Sequence, residues 1–180
     1  MQVRPPPPSA EAAPPRTRDP ITPRMRPAQV PYELKESQIA GLGLFATKPV
    51  TRGTLLWKYD EASVKEHDEA SFRARLEELS PEEQLPFCEH VFCWEGKVCE
   101  ILDDGKFWNH GKGDNQNTGD HPDGNGDGRG DGLSSYALRD IAAGEEFTDD
   151  YASYDNLPWY DAICEKRKAV SCNEVGRNFS

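Results

Sequence analysis

Residues 144–151 read Gly-Glu-Glu-Phe-Thr-Asp-Asp-Tyr, and they directly follow Arg-Asp-Ile-Ala-Ala at residues 139–143. The composition predicts a strand over residues 134–138, a turn over residues 140–144 and a second strand over residues 145–151. A strand-turn-strand pattern occurs in many folds. Its meaning here depends on two other short segments of the chain.

Residues 41–46 read Gly-Leu-Gly-Leu-Phe-Ala, and residues 107–110 read Phe-Trp-Asn-His. Taken alone, the first segment can be only a tight turn, since it lacks the third glycine and the following helix of a dinucleotide-binding fingerprint. The Asn-His pair alone is typical of a hydrogen-bonded turn. Neither segment indicates a function without the others.

In this order and spacing, the three segments resemble the SET domain family. Chains of that family begin with Gly-x-Gly, pass through a variable helical insert, reach Asn-His, and end in Gly-Glu-Glu-Leu/Phe-Thr-x-Asp-Tyr. The resemblance covers about residues 35–165. It implies a mainly β fold with short helices (α+β), built from small sheets, with a threaded, knot-like C-terminal segment of a kind that few folds contain.

The resemblance also implies an S-adenosylmethionine-dependent protein-lysine N-methyltransferase. Missing Cβ atoms at Gly41 and Gly43 would allow the backbone of the first segment to approach the methionine part of the cofactor. Asn109 and His110 would bind the cofactor through a side-chain amide and backbone groups. The cofactor-binding residues implied in this way are Leu42, Gly43, Leu44, Asn109, His110, Tyr151 and Trp159.

The resemblance assigns the catalytic position to Tyr151. A lysine amine must lose its proton before it can attack the methyl group of a sulfonium, and a narrow apolar channel favours the neutral amine. The Tyr151 hydroxyl would orient that amine; the alternative is a strand tyrosine packed in the core. Trp159 would lie against the adenine, or else it anchors the last helix, while Tyr154 and Tyr160 are further aromatic residues for the cofactor and the lysine channel.

The sequence departs from the family pattern after His110. The usual Ser-Cys and a later Pro-Asn are replaced by Gly-Lys-Gly-Asp at residues 111–114, and Asn117 is a candidate for the missing asparagine. The alternative function is therefore a catalytically silent SET-fold module that binds other proteins.

Composition divides the chain into three parts, the second of which contains a Gly/Asp-rich loop. Ten prolines fall within residues 1–31, so residues 1–30 are predicted to be a disordered Pro/Arg-rich arm. Residues 31–168 would form the SET-like domain, with a helical insert at 61–95 that provides one wall of the substrate groove. Within the insert, Ser-Pro-Glu-Glu at residues 80–83 predicts the start of a helix, and residues 91–94 and 97–102 predict a strand pair around Glu95-Gly96. Apolar residues at helical spacing predict a further helix over residues 158–167. A Gly/Asp-rich solvent loop is predicted at 111–132, and residues 169–180 would be a C-terminal tail.

The charge distribution limits the partners. The net charge is −11, and because the arm is basic, residues 31–180 carry −14. An acidic body repels phosphates, so we expect no direct nucleic-acid binding. The partner class that fits is a protein that presents a lysine, for example on a basic tail such as that of a histone. The alternative is that the acidity serves only solubility.

The cysteines and apolar runs bear on location and metals. Five cysteines without a preceding apolar signal segment, and no run long enough to span a membrane, predict an intracellular protein with reduced thiols, in the cytoplasm or the nucleus. Cysteine spacing indicates buried structural thiols and no metal site. Residues 123–128 match the first half of an EF-hand calcium loop. However, residue 134 is serine at the position where that loop needs glutamate. We therefore prefer a solvated loop as the interpretation, and a calcium-responsive regulator is the alternative.

Overall fold

The computed structural model describes residues 30–124 and 133–178 and has a mixed α+β fold of small sheets with short helices. The strands are β1 (Tyr32–Glu36), β2 (Leu42–Ala46), β3 (Leu55–Trp57), β4 (Val64–His67), β5 (Val91–Trp94), β6 (Lys97–Ile101), β7 (Asn109–His110), β8 (Thr118–Gly119), β9 (Ser135–Ala137) and β10 (Thr148–Asp149). The helices are α1 (Glu69–Glu77), α2 (Pro81–Glu89), α3 (Pro158–Arg167) and α4 (Cys172–Asn178). The predicted fold class is confirmed, whereas the threaded C-terminal path stays a prediction.

The strands form four small sheets. Antiparallel pairing gives a β1-β2 hairpin, a β3-β9-β8 sheet and a β4-β6-β5 sheet, while β7 and β10 pair in parallel. The turn between β5 and β6 places Glu95 and Gly96 at φ of 47° and 75°, as a two-residue type I′ hairpin turn requires. The predicted strand pair around these two residues is confirmed.

Local sequence signals explain where the helices begin. The Asp68 carboxylate caps α1 by accepting a hydrogen bond from the Ser71 backbone N–H at 2.8 Å. At the start of α2, the Ser80 N–H donates to the Glu83 carboxylate at 2.9 Å, and proline occupies the first helical position. The helices predicted after Ser80 and over residues 158–167 are both confirmed.

Two hydrophobic cores hold these elements together. The main core lies between β2, β3, β9 and the segment around Phe147 and Trp108. The second core joins the insert to α3 and contains Phe72, Leu76, Cys88, Val91, Cys93, Val98, Tyr160, Ile163, Cys164 and Ala169. All five cysteines are buried free thiols, as predicted.

Three predicted segments differ in the structure. The helical insert also contains β4, which pairs with β6 along its whole length. The segment predicted as a solvent loop contains the fully buried Asn117 and Thr118 within residues 111–124. Residues 169–178, predicted as a tail, form α4 and bury Cys172 and Asn173.

Two predictions lie outside the described residues, in whole or in large part. Residues 1–29 of the predicted arm are outside them, while Val30 is buried in the main core. Most of the calcium-loop match, residues 125–132, is outside them as well. None of the helices in the described part of the chain has the length and apolar character needed to cross a bilayer.

Candidate functional site

Strands β7 and β10 bring the second and third sequence segments together. In their parallel pairing, Asn109 lies opposite Thr148 and His110 lies opposite Asp149. The Gly111 N–H then donates to the Asp149 carbonyl at 2.9 Å and continues the ladder. The last residues of the pattern at 144–151 are therefore adjacent to the Asn-His pair, as the resemblance implies.

The side chain of Asn109 ties the first segment to the other two. Its amide nitrogen lies 3.1 Å from the carbonyl oxygens of both Ala40 and Leu42, and 2.7 Å from Oε1 of Glu146. Asn109 is 9% exposed, so these bonds form inside the protein. The amide that we predicted to bind the cofactor holds the backbone of the Gly-x-Gly turn in place.

Glu146 explains why residue 43 is glycine. A Cβ on Gly43 would lie 2.0 Å from Glu146 Oε1, and the other carboxylate oxygen accepts a hydrogen bond from Ser37 Oγ at 2.8 Å. We predicted that the missing Cβ makes room for the cofactor. In the structure, that room holds the Glu146 carboxylate, whereas a Cβ on Gly41 would meet no atom within 4 Å.

His110 and Tyr151 are in direct contact. Nδ1 of His110 accepts a hydrogen bond from the Tyr151 backbone N–H at 3.1 Å, and the two rings lie 5.3 Å apart. The Tyr151 hydroxyl donates to the carbonyl oxygen of Trp108. Burial raises the pKa of the Tyr151 phenol well above its usual value, so this hydroxyl keeps its proton at neutral pH and its oxygen can act as an acceptor.

Tyr151 also faces a cavity of about 470 Å³. Residues 89–92 and 94 of the insert form one wall. That this cavity is the substrate groove stays a prediction. Besides Tyr151, the lining contains the aromatic side chains of Trp57, Phe92, Trp94, Trp108 and Tyr154. Neither the Gly-x-Gly segment nor the Asn109–His110 pair lines this cavity, so Tyr151 stands between it and the predicted cofactor-binding residues.

Asp149 is a cavity residue that the sequence analysis missed. Its carboxylate accepts hydrogen bonds from the Asp150 N–H at 2.8 Å, from Tyr154 Oη at 3.2 Å and from Gln116 Nε2 at 3.3 Å. Burial raises the pKa of Asp149 to about 6. An acidic residue in the variable position of a β-prone segment was the available sequence signal.

Trp159 does not lie beside the other predicted site residues. Its ring packs 5.8 Å from Phe72 and 6.3 Å from Tyr160 at the edge of the second core. Tyr160 is fully buried there and donates to the Cys88 carbonyl at 2.6 Å. Of the three aromatic residues considered from the sequence, Tyr154 alone lines the cavity, and contact between Trp159 and an adenine stays a prediction.

Asn117 is buried at the centre of the pattern at 144–151. Its Nδ2 donates to the Glu146 carbonyl at 2.7 Å and to the Glu145 carboxylate at 3.0 Å. Its Oδ1 accepts from the Thr148 N–H at 2.9 Å. Asn117 therefore holds the final strand in place.

Within the described ranges, no group of three or more His, Cys, Asp or Glu side chains is arranged to bind a metal ion.

The chain is similar to known proteins in structure and in sequence. A similar solved structure, a crystal structure from Plasmodium falciparum, is of a protein described as a candidate histone methyltransferase. It is 14% identical, with a TM-score of 0.41, and the match covers 67% of this chain and 91% of that chain. No curated protein sequence matches significantly. The sequence profile of the SET domain matches residues 41–152, which include all three segments and more than half of the chain. This chain therefore belongs to the SET domain family.

Proposed function

We propose that this protein transfers a methyl group from S-adenosylmethionine to lysine side chains of a protein substrate. The observation that carries the proposal is the position of Tyr151. Its ring contacts His110 on the side of the predicted cofactor-binding residues, and it also lines the aromatic cavity. A residue in this place can meet two reactants that enter from different sides, and holding two reactants in line is the main requirement of such a transfer.

The surface beside Asn109 and His110 fits the cofactor. Leu42 and Ile39 are 42% and 51% exposed, and a Cβ on Gly41 would meet no atom within 4 Å. The bonds from Asn109 to the carbonyl oxygens of Ala40 and Leu42 fix this open apolar turn. The exposed side chain of Leu42 would lie against the cofactor, which supplies a methyl group carried on a sulfonium, whereas Leu44 is fully buried in the main core.

The residues around the cavity would prepare the acceptor amine. Aromatic walls exclude water, and a lysine amine reacts through its lone pair only after losing its proton. Because the Tyr151 hydroxyl donates its proton to the Trp108 carbonyl, its oxygen lone pairs remain available to accept an N–H from the amine. Tyr151 would thereby orient the amine without acting as a base.

Calorimetric titration of the full chain with S-adenosylmethionine, and separately with S-adenosylhomocysteine, tests the proposal. Binding of both in the micromolar range is expected. Leu42→Glu should weaken binding, whereas Leu34→Glu, which changes another exposed leucine of the β1-β2 hairpin, should not. A folded protein that binds neither compound would overturn the proposal.

The alternative is a silent SET-fold module that binds other proteins. The residues that replace the family pattern after His110 favour it, because this segment folds back onto the final strand. A Cβ on Gly111 would lie 2.6 Å from Cβ of Thr148, and the Thr148 hydroxyl donates to the Asn115 carbonyl. Absence of cofactor binding by the folded chain would favour this alternative.

A further inference from the structure

The cavity beside Tyr151 combines aromatic walls with a carboxylate. Trp57, Phe92, Trp94, Trp108, Tyr151 and Tyr154 line it, and Asp149 lines it as well. Aromatic faces attract cations through their ring quadrupoles, and they also pack against methylene groups. A carboxylate among such faces selects a ligand that carries a positive charge on an apolar stem.

The carboxylate of Asp149 has hydrogen-bond donors and no counter-cation. Its partners are the Asp150 N–H, the Tyr154 hydroxyl and the Gln116 amide, all of them uncharged. Among residues 30–124 and 133–178, no Lys, Arg or His side chain forms an ion pair with it. Asp149 is only partly exposed to water, and an anion in such a place without a cation is unfavourable. Binding a cation here therefore offsets a cost that the folded protein already carries.

The basic residues of the cavity wall have other partners. Nζ of Lys106 lies over the Phe107 ring, 5.3 Å from its centroid. Nδ1 of His90 lies 2.6 Å from the Pro86 carbonyl oxygen. Glu89 and Asp120 add further negative charge to the lining. The field in the cavity therefore favours a cation.

We propose that Asp149 is the residue that binds the ammonium group of an alkylamine chain entering this cavity. The proposal rests on the proposed function for the reaction that follows, since the chain bound there would be the acceptor lysine. Asp149 is a binding and positioning residue, because it would hold the ammonium form in the cavity that Tyr151 also lines. The ammonium group would have to lose its proton before methyl transfer. Hydrogen bonds to an ionised partner are about twice as strong as neutral ones, so the charge of Asp149 sets the preference for an amine.

The test uses the full chain at pH 7.5 and three small probes. n-Butylammonium, 1-butanol and a short capped lysine peptide are titrated while tryptophan fluorescence is followed, since Trp57, Trp94 and Trp108 line the cavity. We expect n-butylammonium to bind at least tenfold more tightly than 1-butanol. Tighter binding of the peptide than of the free amine identifies a protein side chain as the natural ligand, and the reverse order identifies a free amine.

Two matched variants distinguish the effect of the local carboxylate on binding from the effect of the net charge of the protein. Asp149→Asn should reduce the affinity for n-butylammonium at least tenfold and leave that for 1-butanol unchanged. Asp155→Asn removes the same charge from a residue that bonds the Gly96 N–H and does not line the cavity, so it should leave both affinities unchanged. Equal losses in both variants, or equal binding of the amine and the alcohol by the unaltered chain, would overturn the proposal.

The preference for n-butylammonium over 1-butanol is measured independently of cofactor binding. If S-adenosylmethionine binds and the ammonium preference is absent, the role of Asp149 is wrong and the proposed function stands. If the ammonium preference is present and neither cofactor form binds, the cavity assignment stands and the methyltransferase proposal is overturned.

Discussion

The carboxylate of Glu146 fills the space that a side chain on Gly43 would occupy, with Oε1 lying 2.0 Å from an ideal Cβ position. Glu146 is held there by Ser37 Oγ at 2.8 Å and by Asn109 Nδ2 at 2.7 Å. One glycine and one glutamate, about a hundred residues apart, thus lock the Gly-x-Gly turn onto the final strand. This contact joins the first and third segments through a polar network beside the candidate cofactor surface.

Gly43→Ala should therefore destabilise the protein by about 1–3 kcal/mol. The added methyl group would displace the Glu146 carboxylate from its bonds to Ser37 and Asn109. Unfolding in guanidinium chloride measures the loss. In a double-mutant cycle, Gly43→Ala should cost less in a Glu146→Ala background, because the obstructing carboxylate is gone. Strict additivity of the two changes would contradict this account of Gly43.

Sequence alone predicted the elements that have local signals. The β5-β6 hairpin follows from a two-residue turn, and the start of α2 follows from the Ser80-Pro81 cap. The family pattern also predicted that Asn109, His110 and Tyr151 lie together. Each of these predictions depends on residues close in sequence or on a motif whose parts are recognisable one by one.

The rest depends on contacts between distant residues. β4 is a strand because β6 lies beside it, although its exposed Lys65 and Glu66 resemble the neighbouring helical insert. Asn117 is buried because Glu145, Glu146 and Thr148 satisfy its amide, which the Gly/Asp-rich composition around it does not reveal. That no described Lys, Arg or His side chain forms an ion pair with Asp149 likewise becomes apparent only from the three-dimensional arrangement.

Gly176 in α4 should be another position where alanine is not tolerated. Alanine normally stabilises a helix relative to glycine by about 1 kcal/mol. Here a Cβ would lie 2.7 Å from the Ala152 nitrogen and the Tyr151 carbonyl carbon, and backbone atoms cannot move aside as easily as a side chain. We expect Gly176→Ala to lower the stability by about 1–3 kcal/mol and to reduce methyl transfer by shifting Tyr151.

Thermal unfolding and a methyl-transfer assay measure the two effects. Glu174→Ala, at an exposed position of the same helix, is the matched control and should change neither. A Gly176→Ala protein that is as stable as the original would mean that α4 is not closely packed on the turn at Tyr151.

Asp149 should make the protein less stable as the pH rises from about 4 to about 6. Burial raises the pKa of this carboxyl from 3.8 to about 6, so in that window the folded state binds more protons than the unfolded state, and the free energy of unfolding falls with increasing pH. In the folded state the carboxyl is half ionised at about pH 6, so the loss levels off only at about pH 7. Because one pKa unit corresponds to about 1.4 kcal/mol, this loss is at most about 3 kcal/mol.

Asp149→Asn removes the titrating group and keeps an acceptor for the Asp150 N–H and the Gln116 amide. The variant should be more stable than the original chain at pH 7.5 and show little advantage at pH 4.5. Denaturant unfolding at both pH values measures the difference, with Asp155→Asn as the control for net charge. If the gain in stability of Asp149→Asn were the same at both pH values, Asp149 would not be the group that causes the pH dependence.

Tyr151→Phe should separate the hydroxyl from the ring. The ring contacts with His110 and Tyr154 remain, and the loss of the bond to the Trp108 carbonyl costs about 1 kcal/mol of stability. If the hydroxyl oxygen orients the amine, removing an interaction of about 1.4–2.8 kcal/mol in the transition state slows turnover roughly 10–100-fold. Transfer of labelled methyl groups from S-adenosylmethionine to a library of lysine peptides measures this rate.

Tyr59→Phe, which loses a phenolic bond to Glu66 at 2.9 Å, is the matched control. Unchanged turnover in Tyr151→Phe would place the hydroxyl outside the reaction, because every other contact of the ring is preserved.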